Sequence, residues 1–262
     1  DLGKELGQPA FNGIEARAAK AAAGKDSLGI LRPSQVISAH AYGELSAQAE
    51  LSISHLSTRP TLSTVLSAKS LKIDPSSLKN SSIFNEVVGA IQSDPTPLID
   101  LYHTAPKRSR ELGGIINGLP QRPVKAIIGI KTPESVVNKI IRKRDEGKRP
   151  NYWFNDINDF VRGTAIYDSE KEIPGAFNAI KEKIAKKADG SARFDNYFES
   201  PNEWGYRGIN ADLQLSDGSI AELQIHTKMS KEISEAITPT YQGSRGKGPK
   251  EIEAAKKESR EI

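Results

Sequence analysis

The chain contains no cysteine among its 262 residues, which excludes disulfide bridges and thiolate metal sites. The lack of cysteine also leaves the redox compartment open, because such a chain tolerates secretion and a reducing cytosol equally well. Aromatic residues make up only 6% of the chain. No apolar run approaches the roughly 20 residues that a transmembrane helix needs, so we expect no membrane segment.

Methionine is nearly absent, since Met229 is the single example and position 1 is occupied by Asp1. This predicts that the chain is a fragment or a processed product and that the natural protein begins earlier. The formal net charge of +4 suits anionic ligands. A charge of that size is too small to indicate a nucleic-acid-binding protein by itself.

Two segments around residue 217 alternate apolar and polar residues, as strands with one buried face do. A two-residue loop between them would pair Leu213 with Glu222 and mix the two faces. A three-residue loop over 216–218, with Gly218 left-handed, pairs Asp212 with Glu222 and keeps the faces in phase, so we predict that loop. Facing carboxylates repel by about 0.2–1 kcal/mol, which indicates that this polar face receives a cation or a basic group.

A basic helix is predicted in GIKTPESVVNKIIRKR, with Thr132 as its N-cap and Pro133 at its first position. Three polar residues recur at helical spacing on one side: Ser135, Lys139 and Arg142. With Lys131 just ahead of the helix, this stripe suits triphosphate oxygens. The alternative is a solvated helix face, which is the commoner origin of such a charge run.

Four blocks of sequence resemble, in order and spacing, the synthetase domain of the RelA/SpoT family of alarmone synthetases: GIKTPESVVNKIIRKR, INDFVRGTAIY, GYRGIN and ELQIHT. The resemblance runs from about Ile130 to Tyr241, under half of the chain. Members of that family transfer the β,γ-pyrophosphate of ATP to the 3′-hydroxyl of a guanine nucleotide. Some toxin branches instead use adenine nucleotides or the 3′ end of tRNA as the acceptor.

The resemblance, together with the positions of neighbouring residues, predicts the following roles. ATP would be held by Lys131, Ser135, Lys139 and Arg162. The catalytic residues would be Glu222, Asp159 and Arg162, and Mg²⁺ would be bound by Asp159 and Glu222. The acceptor would be held by Tyr206, Arg207, Asn210, Gln224 and His226. Two carboxylates are chemically sufficient, because magnesium is usually held by one or two of them together with substrate phosphates.

Several of these positions have a structural alternative. Tyr206 would stack on the acceptor base, but it would otherwise be a core tyrosine; its loop sequence favours presentation to a ligand. Trp204 either adds a second stacking surface or anchors the loop. His226 either contacts a phosphate or is a satisfied residue of the polar face. Asp156 fits the N-terminal charge of a helix better than it fits a second metal ligand.

The chain departs from the family pattern around the nucleotide sites. Gly129 and Thr164 stand where many synthetases carry arginine, although Arg162 lies on the same strand face as Thr164 and would reach a nearby point. Asn210 replaces a histidine and His226 replaces an arginine. These changes leave the choice between an adenine and a guanine acceptor open.

The predicted fold class is α/β (α+β), with a mixed, largely antiparallel sheet flanked by helices, as in the nucleotidyltransferase-like RelA/SpoT synthetases. We predict a helical N-terminal region over 1–123, the synthetase domain over 124–242 and a basic C-terminal tail over 243–262. Within the domain, a helix is predicted from Pro174 to Gly190, followed by a strand over RFDNYF. The tail would be flexible, with a surface helix or a frayed end over EIEAAKKESREI.

The predicted function is Mg²⁺-dependent transfer of pyrophosphate from ATP to a purine nucleotide. The chain contains no His-Asp dipeptide of the family's hydrolase half, so we expect no degradation of the product. We predict a fragment of a delivered toxin that acts in the target-cell cytoplasm, with a cognate immunity protein as partner. The setting could instead be the cytoplasm of the producing cell. The alternatives are a tRNA 3′-end pyrophosphokinase, in which 142–149 and the tail grip RNA, and an inactive nucleotide-binding module.

Overall fold

A computed structural model describes residues 36–244 and 248–261. The α-helices in these ranges are α1 (Ala39–Leu56), α2 (Arg59–Val65), α3 (Ala68–Leu71), α4 (Ser82–Ser93), α5 (Thr96–Asn117), α6 (Pro133–Asp145), α7 (Ile173–Ile180), α8 (Lys228–Gly243) and α9 (Pro249–Arg260). The strands are β1 (Lys125–Ile130), β2 (Val161–Tyr167), β3 (Phe194–Asn196), β4 (Ile209–Gln214) and β5 (Ile220–Thr227). No helix within these ranges is both long and apolar enough to cross a membrane.

The five strands form one sheet in the order β1-β2-β5-β4-β3. The central pair, β2 and β5, is parallel, and the other neighbours are antiparallel. Helices flank this sheet, and one apolar core extends from the helices before β1 into the sheet. The predicted fold class is therefore confirmed. The predicted boundaries at residues 123 and 242 stay predictions, and the part of the N-terminal region before residue 36 lies outside the described residues.

The β4–β5 hairpin has the predicted register, with Asp212 opposite Glu222. The Leu215 N–H donates to the Ser219 carbonyl at 2.8 Å, which closes a three-residue loop. Gly218 in that loop has φ +80°, a left-handed conformation that glycine adopts without steric cost. The alternation of apolar and polar residues was therefore sufficient to choose the loop.

The sheet has an apolar face and a polar face. On the apolar face, an ideal Cβ built on Gly163 would lie 2.7 Å from Ile116 and 3.0 Å from Leu112. Helix α5 therefore packs against the backbone of β2 at this point. The opposite face carries the polar residues of the central strands: Arg162, Thr164, Asn210, Asp212, Glu222, Gln224 and His226.

The predicted end of the Pro174 helix is wrong, because α7 stops at Ile180 and not at Gly190. The chain beyond α7 pairs with β4, where the Ala185 N–H donates to the Asp212 carbonyl at 2.8 Å. Gly190, with φ +82°, lies in the turn of the small hairpin that follows. Pairing with the sheet thus overrides the helical periodicity. The strand predicted over RFDNYF is correspondingly shorter, at three residues.

Candidate active site

Asp159 is the centre of a charged cluster at the start of β2. Its carboxylate lies 2.7 Å from Lys139 Nζ, 3.2 Å from Lys131 Nζ and 3.2 Å from Arg162 Nη2. Thr132 caps α6 by accepting the Ser135 N–H, as predicted, and α6 then places Lys139 over Asp159. Cations from α6, from β2 and from the segment between β1 and α6 therefore meet at one carboxylate.

The charges in this cluster shift one another's protonation. Burial alone would raise the pKa of Asp159, but Lys131 and Lys139 outweigh burial and lower the pKa to about 2. Burial lowers the pKa of Lys131, and the charge of Asp159 opposes that change. Asp159 is consequently an anion at neutral pH, with only 12% of its side chain exposed.

Glu222 is joined to the same cluster through Arg162, which lies opposite it in the parallel β2–β5 pair. Arg162 Nε is 2.6 Å from Glu222 Oε1, and Gln224 Nε2 donates to that oxygen at 2.8 Å. Burial raises the pKa of Glu222, and the Arg162 charge only partly offsets the shift. The sheet thus brings together two carboxylates around one guanidinium, and their pKa values are shifted in opposite directions.

A third carboxylate, Asp212, faces Glu222 across the hairpin. Its Oδ2 atom is 2.9 Å from Arg193 Nη2 and accepts from Asn158 Nδ2 at 3.2 Å. Burial raises the pKa of Asp212, with Arg193 acting in the opposite direction. The facing carboxylates that the sequence predicts are therefore each paired with a different arginine. Arg193 was not predicted from the sequence, because its segment shows no periodicity that would place it beside Asp212.

The three carboxylates line a cleft of about 420 Å³, together with Lys139 and Arg193, and this volume is large enough for a nucleotide. Its basic lining residues are Lys139, Lys143, Lys148, Arg149 and Arg193. Its acidic lining residues are Glu146, Asp156, Asp159, Asp212 and Glu222. The cleft therefore combines cations for phosphate oxygens with carboxylates for a metal ion or a proton.

Tyr206 belongs to a segment that we call the Tyr206 loop, residues 201–207. Its ring is half-buried and packs edge-on against Tyr197 and His226, with centroids 5.3 and 5.4 Å away. The hydroxyl donates to Asn210 Oδ1 at 2.6 Å and lies 3.0 Å from His226 Nε2. Tyr206 is therefore neither a free loop residue nor a fully buried core tyrosine.

His226 has no exposed surface, and its second ring nitrogen lies 3.1 Å from the Ser230 hydroxyl. Burial, with a smaller effect of Lys231, lowers the pKa of His226 to about 4. The imidazole is thus neutral at physiological pH and is satisfied by Tyr206 and Ser230. Its predicted acceptor contact stays a prediction, and in this structure His226 touches the Tyr206 hydroxyl.

Other predicted residues lie at the margin of the cluster. Ser135 is exposed and bonds to Thr132, and Arg207 is exposed on the Tyr206 loop. Asp156 lines the cleft, but its carboxylate accepts the Trp153 N–H as a local cap, in agreement with the preferred prediction for it. Trp204 is 9% exposed and packs on Tyr241, so of the two alternatives it anchors the loop.

The residues present fit a magnesium ion. In the described part of the chain, no group of three or more His, Asp or Glu side chains could form a metal site by itself. Magnesium in nucleotide enzymes needs only one or two carboxylates, because phosphate oxygens and water complete its octahedron. Asp159 and Glu222 meet that requirement, since both line the same cleft and Asp159 is ionised.

Residues 129–244 match the model of a protein family described as the region found in RelA / SpoT proteins. The matched range agrees closely with the resemblance drawn from about Ile130 to Tyr241, and that resemblance is confirmed. A comparison with curated proteins gives no match.

Similar solved structures include small alarmone synthetases. Small alarmone synthetase 2 from Bacillus subtilis is 21% identical, with a TM-score of 0.38, over 63% of this chain and 86% of that chain. Small alarmone synthetase 1 from Bacillus subtilis, bound to its product pppGpp, is 16% identical, with a TM-score of 0.39, over 63% and 89%. The complex between the Type VI effector Tas1 and its immunity protein gives 16% identity and a TM-score of 0.45 over 62% and 92%.

Proposed function

Because residues 129–244 carry the region found in RelA/SpoT proteins, we propose that this chain is a Mg²⁺-dependent pyrophosphokinase that uses ATP and a purine nucleotide. The observation that carries the proposal is the cluster in which Asp159 contacts three cations and one of them, Arg162, also contacts Glu222. An arrangement of this kind serves both parts of phosphoryl chemistry. Cations neutralise phosphate charge, and carboxylates hold a metal ion or accept a proton.

Lys131, Lys139 and Arg162 would hold the triphosphate of ATP. Their charges converge on Asp159 within 3.2 Å, and their side chains are 20–41% exposed, so they are accessible to a ligand. Of the three, Lys139 lines the cleft. Ser135, at the first turn of α6, lies close enough in sequence to Lys131 to add a hydroxyl donor. On ATP binding, phosphate oxygens would take over some of the contacts that Asp159 now accepts.

Magnesium would be held by Asp159 and Glu222 together with phosphate oxygens, and it would supply charge neutralisation at the transferred group. Glu222 would also act as the general base. Burial raises its pKa, and a base whose pKa lies nearer to the working pH transfers protons more effectively than a strongly acidic carboxylate.

The proposed step is an in-line displacement at the β-phosphorus of ATP. The 3′-hydroxyl oxygen of the acceptor forms the new bond to this phosphorus, and its proton passes to Glu222. The bond from the β-phosphorus to the bridging oxygen of the α-phosphate breaks, and AMP leaves. The products are AMP and an acceptor that carries a 3′-pyrophosphate.

Tyr206 would present its ring to the acceptor base, with Arg207 directed at an acceptor phosphate. Asn210 and Gln224 would act nearby, since Asn210 accepts from Tyr206 and Gln224 donates to Glu222. Both adenine and guanine acceptors belong in the test.

The test is incubation with Mg²⁺ and γ-labelled ATP, alone and with GTP, GDP, AMP, ADP or bulk tRNA. We expect label on a purine nucleotide and one AMP released for each labelled product. Label on tRNA alone would favour the RNA acceptor instead. Nucleotide binding with no labelled acceptor and no AMP would reject the enzyme and leave a binding module.

The proposed setting is a delivered toxin that acts in the cytoplasm of a target cell and is neutralised by an immunity protein. Induced expression inside a bacterial cell tests the harmful part of this proposal. We expect growth to stop with the intact chain and to continue with Glu222→Gln. Equal growth of both strains, with equal protein levels, would favour a stress-response role in the producing cell.

A further inference from the structure

Helix α9 lies beyond the matched range 129–244 and packs on the Tyr206 loop. The Ser259 hydroxyl donates to the Trp204 carbonyl at 2.6 Å, and Ser259 is only 2% exposed. Three residues earlier, Lys256 Nζ lies 2.7 Å from Glu203 Oε2, and its side chain is 12% exposed. The segment predicted as a surface helix or a frayed end is thus a helix that is joined to the loop by two polar contacts.

The Tyr206 loop is a closed turn, so a contact at Trp204 also restrains the backbone at Tyr206. The Asn202 side-chain oxygen accepts the N–H groups of both Trp204 and Tyr206 at 3.0 Å. The Gly205 N–H donates back to the Asn202 carbonyl at 2.9 Å, and Gly205 has φ +81°. Movement of the Trp204 carbonyl would therefore disturb the same turn that orients Tyr206.

The indole of Trp204 is held from a second direction by Tyr241 of α8, with ring centroids 5.2 Å apart at an interplanar angle of 74°. Tyr241 therefore restrains the side chain of Trp204, and Ser259 restrains its main chain. Removing the Ser259 hydroxyl would leave the Trp204 carbonyl without this donor. The loss of a hydrogen bond is costly for a buried acceptor.

We propose that α9 positions the Tyr206 loop for acceptor binding, with Ser259 as the main positioning residue. The inference rests on the proposed function, because it assumes that Tyr206 meets the acceptor. A loop that is ordered before the ligand arrives binds more tightly, since binding then has less conformational freedom to remove. The helix acts on the acceptor side, whereas the proposed ATP-binding cations lie on α6, on β2 and directly after β1.

The experiment compares Ser259→Ala with Lys257→Ala, a matched control on the exposed side of the same helix. Each full-length variant is assayed for kcat and for the KM of ATP and of the nucleotide acceptor. Hydrogen exchange of the backbone amides in 201–207 is measured without ligand. This second readout does not depend on catalysis.

We expect Ser259→Ala to raise the acceptor KM about five-fold or more, the ratio that corresponds to one lost hydrogen bond. The KM of ATP and kcat should stay within two-fold, and exchange in the loop should become faster. Lys257→Ala should change none of these quantities. An unchanged acceptor KM, or an equal rise in both KM values, would overturn the proposal.

Two further outcomes distinguish failure of the positioning role of α9 from failure of the proposed function. If Ser259→Ala reduced the labelling of tRNA alone, α9 would be an RNA contact, and the positioning role would be wrong. If the intact chain labelled no acceptor, the proposed function would fail. Exchange in the loop would then decide by itself: faster exchange in Ser259→Ala would keep the ordering role of α9, and equal exchange would reject it.

Discussion

At the scale of single residues, Asp159 and Glu222 share Arg162 but have pKa values shifted in opposite directions. Lys131 and Lys139 overcome the effect of burial at Asp159, whereas burial prevails at Glu222. Two carboxylates in different environments can take different roles in one reaction. This difference supports Asp159 as a permanent anion for the metal ion and Glu222 as the group that accepts a proton.

The first prediction concerns Glu222→Gln, which removes the base and keeps the shape of the side chain. We expect pyrophosphate transfer to fall by about 10²-fold or more, the usual contribution of a general base. The fold should persist, because Arg162 keeps its contact with Asp159. Transfer is measured with labelled ATP, and folding is followed by thermal unfolding.

The control for that prediction is Asp212→Asn, directly across the hairpin from Glu222. Asp212 lines the same cleft but has no assigned role in proton transfer. We expect this variant to retain most of the activity. Unchanged turnover in Glu222→Gln would remove Glu222 from the mechanism.

A second prediction concerns the contact between Tyr206 and His226, which are 3.0 Å apart at their polar atoms. Tyr206→Phe leaves the buried His226 Nε2 without its partner, which typically costs about 1–3 kcal/mol. His226→Phe removes the same contact from the Tyr206 hydroxyl, which keeps its bond to Asn210. We expect each single variant to lose stability and acceptor affinity, and the double variant to lose less than the sum. Strict additivity in a double-mutant cycle would show that the two residues are not coupled.

At the scale of elements, the centre of the sheet depends on the close approach of α5 to β2. Gly163 leaves no room for a methyl group, because Ile116 and Leu112 would lie within about 3 Å of its Cβ. This contact places α5 against β2, on the face of the sheet opposite to Arg162. The position of the charged cluster therefore depends on packing from the opposite side of the sheet.

The third prediction is that Gly163→Ala destabilises the protein by about 1–3 kcal/mol, as overpacking of a close-packed core does. Gly129→Ala is the matched control, because it lies on the neighbouring strand and its Cβ would meet nothing within 4 Å. We expect the control to change the free energy of unfolding by less than 0.5 kcal/mol. Denaturant unfolding of both variants measures the difference, and equal values would contradict the proposed packing effect.

Elements could be predicted from the sequence where local chemistry decides them. The Thr132 cap and the β4–β5 register follow from neighbouring residues, and both are confirmed. The end of α7 could not be predicted in this way, because pairing of Ala185 with Asp212 replaces local helical preference. Ser259 was missed for the same reason, since its partner lies 55 residues away.

At the scale of the whole molecule, the candidate site is assembled from segments that are distant in the sequence. Family motifs pointed to Lys131, Lys139, Asp159 and Glu222, and the structure brings all four into one charged cluster. The motifs could not supply the distances or the pKa shifts, since both depend on how the fold packs the charged groups together and buries them. Arg193 lacked any motif, so its pairing with Asp212 emerged only from the fold.

The last prediction concerns the effect of this cluster on stability as the pH changes. The folded state holds the pKa of Asp159 near 2, below its ordinary value of 3.8. The unfolded chain therefore binds a proton first as the pH falls, and the contribution of Asp159 to stability is present above about pH 4 and lost toward pH 2. A shift of this size corresponds to about 2 kcal/mol.

Asp159→Asn removes that contribution. It also reduces the opposite contributions of Glu222 and Asp212, because the Asp159 charge is one of the causes that raise their pKa values. We expect the intact protein to exceed the variant in stability by about 2 kcal/mol at neutral pH. The difference should shrink between about pH 4 and pH 2, where the folded carboxylate also becomes protonated. Urea unfolding of both proteins across this pH range measures the difference in the free energy of unfolding. A difference that stayed constant with pH would mean that the three cations do not stabilise the charged form of Asp159.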